Sequence, residues 1–257
     1  MKKIYLLLVT AVCAICISCE GDEEASYWAA PENPVLVRKI TTVVFNDAGE
    51  QVQSSAVEFE YEDGRLVSMS DGTKQQIFHY AGTKVTKRDD YENGAFIRTY
   101  KYVYEGGKVV SVQHDRSGNS IEAFQYAYEG DVLKYSYHTY LNPDGTIQNG
   151  DAYRNTYAYS DGNLVEQLYE GESTTWTRTF SDYDNGANPF RDMNPYIRIP
   201  MIGDMNRNNS RTIDSPIQNA HSTRTITYNS NGFPSQINAT ITSWSGTTFM
   251  VISYEYL

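Results

Sequence analysis

Tyr100-Lys101-Tyr102-Val103-Tyr104-Glu105-Gly106-Gly107-Lys108-Val109-Val110 holds, in eleven residues, one unit of the pattern that runs through this 257-residue chain. Tyrosines alternate with a charged or smaller residue, a period of two that belongs to a β-strand. Gly-Gly then supplies the positive φ that a tight hairpin turn needs. A pair of β-branched residues starts the return strand. The unit therefore predicts two antiparallel strands with aromatic rings on one face and charge on the other.

Working outward, the same unit recurs. Clear copies are Phe59-Glu-Tyr61-Glu-Asp-Gly-Arg-Leu-Val67, Tyr126-Ala-Tyr128-Glu-Gly-Asp-Val-Leu133 and Tyr157-Ala-Tyr159-Ser-Asp-Gly-Asn-Leu-Val165, with weaker ones at Phe78-His-Tyr80 and Ile226-Thr-Tyr228. Tyr80 to Tyr104, Tyr104 to Tyr128 and Tyr159 to Tyr183 are each 24 residues apart. A recurrence of that length marks stacked supersecondary units. The expected fold class is all-β: an antiparallel meander of hairpin repeats, ten or more strands, forming a large curved sheet over 35–257. Phe59, Tyr61, Tyr102, Tyr104, Tyr126, Tyr128, Tyr157 and Tyr159 belong to the packed face. Glu58, Glu60, Lys101, Gln125, Arg154 and Thr156 belong to the solvent face.

Two places break the pattern. Trp176 and Phe180 stand on the opposite phase from Tyr183, which calls for a bulge that turns the rings inward, or else leaves Trp176 facing water. The bulge is the favoured solution, because a large aromatic gains most from burial. Residues 187–220, rich in Asn and Pro, interrupt the repeat and read as an irregular insertion. A stretch of that length is functional or a cover over an end or edge of the sheet.

The Tyr-x-Tyr-x-x-Gly-x-Leu units resemble YD (RHS-type) repeats. Tyr183-Asp-Asn-Gly-Ala-Asn-Pro-Phe190, followed by Tyr228-Asn-Ser-Asn-Gly-Phe-Pro234, is similar to a Bacteroidetes lipoprotein domain of unknown function related to them. The resemblance covers most of 36–257. It implies a secreted, lipid-anchored β domain and brings no catalytic residue with it.

The N-terminus fits that implication. Lys2 and Lys3 precede an apolar run from Tyr5 to Ile17, the layout of a secretory signal and too short for a spanning helix. Ile15-Cys16-Ile17-Ser18-Cys19 resembles a bacterial lipobox, with Cys16 where Leu is usual. Of the three cysteines only Cys19 follows a small residue. Residues 1–18 are thus expected to be cleaved and Cys19 to carry lipid, which leaves the mature chain one thiol and no intrachain disulfide. Residues 19–34, acidic and ended by Pro31 and Pro34, read as a tether. Asp22, Glu23 and Glu24 resemble the acidic signal that sends such lipoproteins to the outer face of the outer membrane.

Without the signal, 19 basic residues stand against 32 acidic ones, a formal charge of −13. That balance repels phosphate backbones and argues against nucleic acid as a partner. No nucleophile elbow, phosphate loop or His-Glu-x-x-His occurs. His79, His114, His138 and His221 lack ligand spacing. Asp204-Met-Asn206-Arg-Asn208-Asn209-Ser210 has oxygens at alternate positions, but Asn209 replaces the glycine of a calcium loop and Ser215 its bidentate Glu. No catalytic residue, metal site or cofactor is therefore assigned.

Trp244, in Ser243-Trp-Ser-Gly246, is the aromatic best placed to stand exposed for stacking on a sugar, or to fold back on the sheet edge, and Trp176 is a second candidate. The function expected is non-catalytic binding or surface interaction in the cell envelope, with a glycan or an envelope protein as ligand. A carbohydrate-active enzyme and a structural envelope component are the alternatives.

Overall fold

The computed structural model describes residues 31–116, 120–148, 152–194, 197–198 and 206–257. Sixteen strands follow one another along the described residues. In the first half these are β1 Val37–Phe45, β2 Gln51–Glu62, β3 Arg65–Ser70, β4 Lys74–Ala81, β5 Lys84–Glu92, β6 Ala95–Glu105, β7 Lys108–Arg116 and β8 Ser120–Glu129. The second half has β9 Val132–Leu141, β10 Tyr153–Ser160, β11 Asn163–Glu170, β12 Thr175–Tyr183, β13 Ser210–Ser215, β14 Ala220–Tyr228, β15 Pro234–Ser243 and β16 Gly246–Tyr256. Every strand pairs antiparallel with its neighbours in sequence, and β1 pairs with β16 from Val37↔Tyr256 to Phe45↔Phe249. The meander is as expected, but it closes into a barrel and is not an open curved sheet. Closure pairs every backbone edge, so no edge needs a cover.

The hairpin turns carry out what their residues allow. Asp63-Gly64, Asn93-Gly94, Gly106-Gly107 and Asp161-Gly162 each have two consecutive positive φ values, the type I′ geometry that matches strand twist. After the turn one residue is extra: Tyr61 pairs with Leu66 while Glu60 pairs with Ser68, and Tyr104 with Val109 while Val103 pairs with Ser111. The same shift recurs at Tyr80, Tyr128, Tyr159 and Tyr228. The bulge lets the tyrosine reach across the wall. Tyr61, Tyr80, Tyr104, Tyr128 and Tyr256 donate to the carbonyls of Val37, Leu66, Val85, Val109 and Pro234 at 3.0, 2.8, 2.9, 3.0 and 2.7 Å, and Tyr183 donates to Leu164.

The aromatic phase points inward. Phe59, Phe78, Tyr100, Tyr102, Val109 and Val112 form one buried cluster, with Tyr61, Tyr104 and Tyr126 packed on it. Outside, polar and charged residues prevail: Lys39 pairs with Glu58 at 2.9 Å, Lys101 with Asp115 at 2.9 Å, and Asp89 with Lys87 and His79 at 3.1 and 2.7 Å. Thr223, Thr225 and Thr227 continue that face on β14. Apolar residues also occur there, Val43 opposite Val251 and Phe45 opposite Phe249 among them, but polar neighbours such as Ser54 and Asn238 flank them and no continuous band forms among the described residues. A barrel that spans a bilayer carries the reverse, an apolar outer band about 25 Å tall.

One end of the barrel is stoppered. The irregular insertion expected over 187–220 is interrupted by β13 at Ser210–Ser215. The described residues between β12 and β13, 184–194, 197–198 and 206–209, lie at the end where the tyrosine ladder lies. Phe190, Met193 and Ile197 join the interior cluster, and the Phe190 ring meets Phe59 at 6.2 Å. Asn188 N–H donates to Arg207 O, Asn206 Oδ1 accepts from Leu164 N–H, and Asn209 Nδ2 donates to Ala187 O. The asparagines thus satisfy a buried, irregular backbone that no ladder could serve. Val35 N–H donates to Asp192 at this same end, where the chain enters β1.

Candidate functional site

Away from the stopper the interior opens. Along the inward face of β2, Phe59 is 5% exposed, Val57 is half-buried, and Ser55 and Gln53 are exposed. On β6, Tyr102 and Tyr100 are buried and Arg98 is exposed. This is the mouth, and the candidate site is the wall just inside it.

A line of rings crosses the wall from strand to strand. The Arg88 guanidinium lies 4.2 Å over Tyr100, whose ring meets His114 edge-on at 4.9 Å. His138 stacks on Tyr153 at 4.9 Å, Tyr153 meets Tyr169 at 5.3 Å, and Tyr169 stacks on Trp176 at 4.9 Å with planes 7° apart. Arg178 closes the line, 5.3 Å over Trp176. Trp176 therefore faces inward. The phase changes at Asp182, which takes φ +52°, while the register with β13 is unbroken, Ser181 opposite Thr212 and Tyr183 opposite Ser210, so the expected bulge is absent from this pairing.

Glu122 stands in the middle of the line. Its Oε2 is 2.9 Å from His114 Nε2, and its Oε1 is hydrogen-bonded to His138 Nε2 at 2.7 Å. His114 and His138 are 5% and 8% exposed. Burial by itself would raise the Glu122 pKa, but the hydrogen bond from His138 and the charges of His114, His138 and Arg116 outweigh it and hold it below the ordinary value. Arg98 approaches His114 Nε2 at 3.3 Å, and His138 Nδ1 is buried with no hydrogen-bond partner. Sequence reading separated these histidines. Their spacing of 24 residues is the period of the repeat, and that signal could have placed them on one wall. His79 and His221 instead pair with Asp89 and Asp214 on the outside.

The other side of the mouth holds a pocket of about 350 Å³, lined by Val57, Met69, Ser70, Asp71, Lys74, Gln76 and Arg88. Arg88 is tied to Asp90, Nε to Oδ1 at 2.7 Å and NH2 to Oδ2 at 3.1 Å.

Trp244 sits in the β15–β16 turn at the rim of the same mouth and is 75% exposed. Two hairpin turns, β11–β12 and β15–β16, thus bring Trp176 and Trp244 to one end, the first inside and the second on the rim. Cys19 lies outside the described residues, as does Asp204 of the calcium-like stretch. Asn206, Asn208 and Asn209 of that stretch bond to the protein around the stopper. Among the described residues no group of three His, Cys, Asp or Glu is arranged to hold a metal ion.

No family model matches the chain, and no curated protein matches it. Solved structures do. A porin-like protein from Bacteroides uniformis ATCC 8492 superposes with a TM-score of 0.59 at 13% identity, over 88% of this chain and 98% of that one. A porin-like protein from Bacteroides vulgatus ATCC 8482 gives 0.53 at 13% identity, over 87% and 99%. At such identity the likeness is one of fold.

Proposed function

We propose that the protein is a lipid-anchored envelope protein, related to the Bacteroidetes surface lipoproteins it resembles, whose barrel stands in water and binds a glycan in its mouth without turning it over. The observation that carries this reading is the orientation of the wall, with charge outside, rings inside and one end stoppered. Such a body is a cup. The porin-like neighbours share the fold, but a porin wall needs an apolar outer band, and none runs around the described strands. Cys19 lies sixteen residues before Val35, a reach of at most about 55 Å, and Val35 enters at the stoppered end. A lipid on Cys19 would hold that end toward the membrane and turn the mouth away. The outer membrane, exposed to the outside, is the location proposed.

The test has two arms. Cys19→Ser should move the protein from the membrane to the soluble fraction, and the purified chain should give no conductance in planar bilayers. A glycan array probed with the full chain should retain ligand, and retention should fall in Trp176→Ala if the lumen binds and in Trp244→Ala if the rim does. A conducting pore, or no glycan retained at micromolar protein, would overturn the reading.

The contact of Glu122 with two imidazoles favours one second reading, acid–base catalysis on a carbohydrate. Both carboxylate oxygens are already engaged by imidazoles, which ranks it below binding. Polysaccharide turnover with a pH optimum that is abolished in Glu122→Gln would reverse that order.

A further inference from the structure

The pocket between β2 and β5 has a composition that selects a ligand. Val57 and Met69 give it an apolar wall, and cross-strand pairing sets Gln76 between Met69 and Asp90. Gln76 Oε1 is buried and accepts no hydrogen bond. Leaving such an acceptor unmet is unfavourable, so a ligand that donates there gains more than an apolar one. Lys39, Lys87, Lys101, Lys108 and Lys134 all make ion pairs, whereas Lys74, beside the pocket, has no carboxylate within 4 Å among the described residues and acts on Asp71 only through its charge. Arg88 brings a second cation, but both oxygens of Asp90 neutralise it. The acid at the rim, Asp71, turns Oδ1 to the N–H groups of Thr73 and Lys74.

We infer that this pocket binds a monoanionic sugar acid, with the carboxylate on Lys74, a hydroxyl donating to Gln76 Oε1 and the apolar face of the ring on Val57 and Met69. Size agrees. A volume of about 350 Å³ is at the small end of ligand pockets and suits one pyranose better than a long chain. A fatty acid would meet Lys74 but leave Gln76 unserved. A neutral sugar would serve Gln76 but leave Lys74 idle. One lysine at the pocket, in a chain of net charge −11, also favours a single negative charge over a doubly charged phosphate.

The inference deepens the cup reading and rests on it. The full chain in mild detergent is titrated by calorimetry with D-glucuronate, D-glucose and octanoate, with saturation-transfer NMR to show which ligand protons touch the protein. Glucuronate should bind more tightly than either of the others. Lys74→Gln should weaken it about fivefold, the effect of one partly exposed ion pair. Gln76→Leu should weaken it about fivefold through the lost acceptor. Circular dichroism and Tm should show both variants folded. Equal binding of glucose and glucuronate, or glucuronate binding unchanged by Lys74→Gln, overturns the assignment. Oligosaccharide retention that depends on Trp176, with no glucuronate binding, overturns this inference and leaves the cup reading intact. Neither ligand bound overturns both.

Discussion

His114 and His138, one repeat period apart, approach the two oxygens of a single carboxylate, Glu122, at 2.9 and 2.7 Å. The three lie on consecutive strands β7, β8 and β9, so the contact ties the wall together from inside the mouth. Glu122→Gln should cost about 1–3 kcal/mol, because two buried imidazoles lose a charged acceptor. In a chain of this size that is about 2–4 °C of Tm per kcal/mol.

The same residue sets an acid limb. The Glu122 pKa is lower in the folded protein than the ordinary value near 4.5, so its stabilising contribution is complete above that pH. The contribution is lost as pH falls through the lowered folded value. Tm measured from pH 6 to pH 3 should drop for the parent chain, and Glu122→Gln should flatten that drop.

The tyrosine ladder predicts a graded response. Tyr104→Phe removes the donor to Val85 O and should cost about 1 kcal/mol, as should Tyr128→Phe at Val109 O. Combined, the two should add to within about 0.5 kcal/mol unless the rungs are coupled. Tyr135→Phe, on the outer face, should change stability by less than about 0.5 kcal/mol. Urea unfolding at constant m-value is the measurement. Equal costs inside and outside would remove the ladder as a source of stability.

Alkali should reveal the buried hydroxyls. Burial pushes the Tyr102 pKa up to about 12, and burial likewise raises Tyr61, Tyr80, Tyr126 and Tyr256. A folded value above the unfolded one near 10 means their contribution is whole below about pH 10 and is lost as pH rises through the folded value. Absorbance of tyrosinate should therefore rise in two steps, the exposed rings first. The second step should coincide with loss of the β signal in circular dichroism.

The stopper has its own weak points. A Cβ at Gly186 would lie 2.2 Å from the Tyr228 ring, whose hydroxyl donates to Asp184. Gly186→Ala must displace that ring and break the bond. Phe190→Ala empties a site against Phe59 and should cost about 3–5 kcal/mol. Both should raise binding of a hydrophobic dye, and protection of Val109 and Val112 amides from hydrogen exchange should fall with them.

How far these features were legible follows from which forces are local. Tyr102 and Tyr104 announce their face because alternation is a property of a few consecutive residues, and Asp63-Gly64 announces its turn because φ is a property of one. Closure is different. Val37 pairs with Tyr256 only because sixteen strands accumulate enough twist and stagger to bring the ends together, and no window of sequence contains that sum. The Glu122 cluster stayed hidden for a related reason: its members are ordinary inward positions until the repeat period is applied to His114 and His138. The end of the irregular stretch was misplaced because Ser210–Ser215 lacks the aromatic alternation and becomes a strand by pairing with β12 and β14. Trp176 does turn its ring toward Tyr169, but by a change of phase at Asp182 and not by the expected bulge, since the register with β13 is unbroken.

The pairing of Val37 with Tyr256 spans 219 positions, so the first strand made waits for the last before either has both its partners. Until then the growing sheet has two free edges, each a template for another chain. Contacts this remote in sequence also form slowly. A chain that loses β16 keeps every other hairpin but never seals, and what would be a closed barrel becomes a strip that can add copies of itself at both sides. Strand β16 is therefore what separates a closed body from an open-ended one.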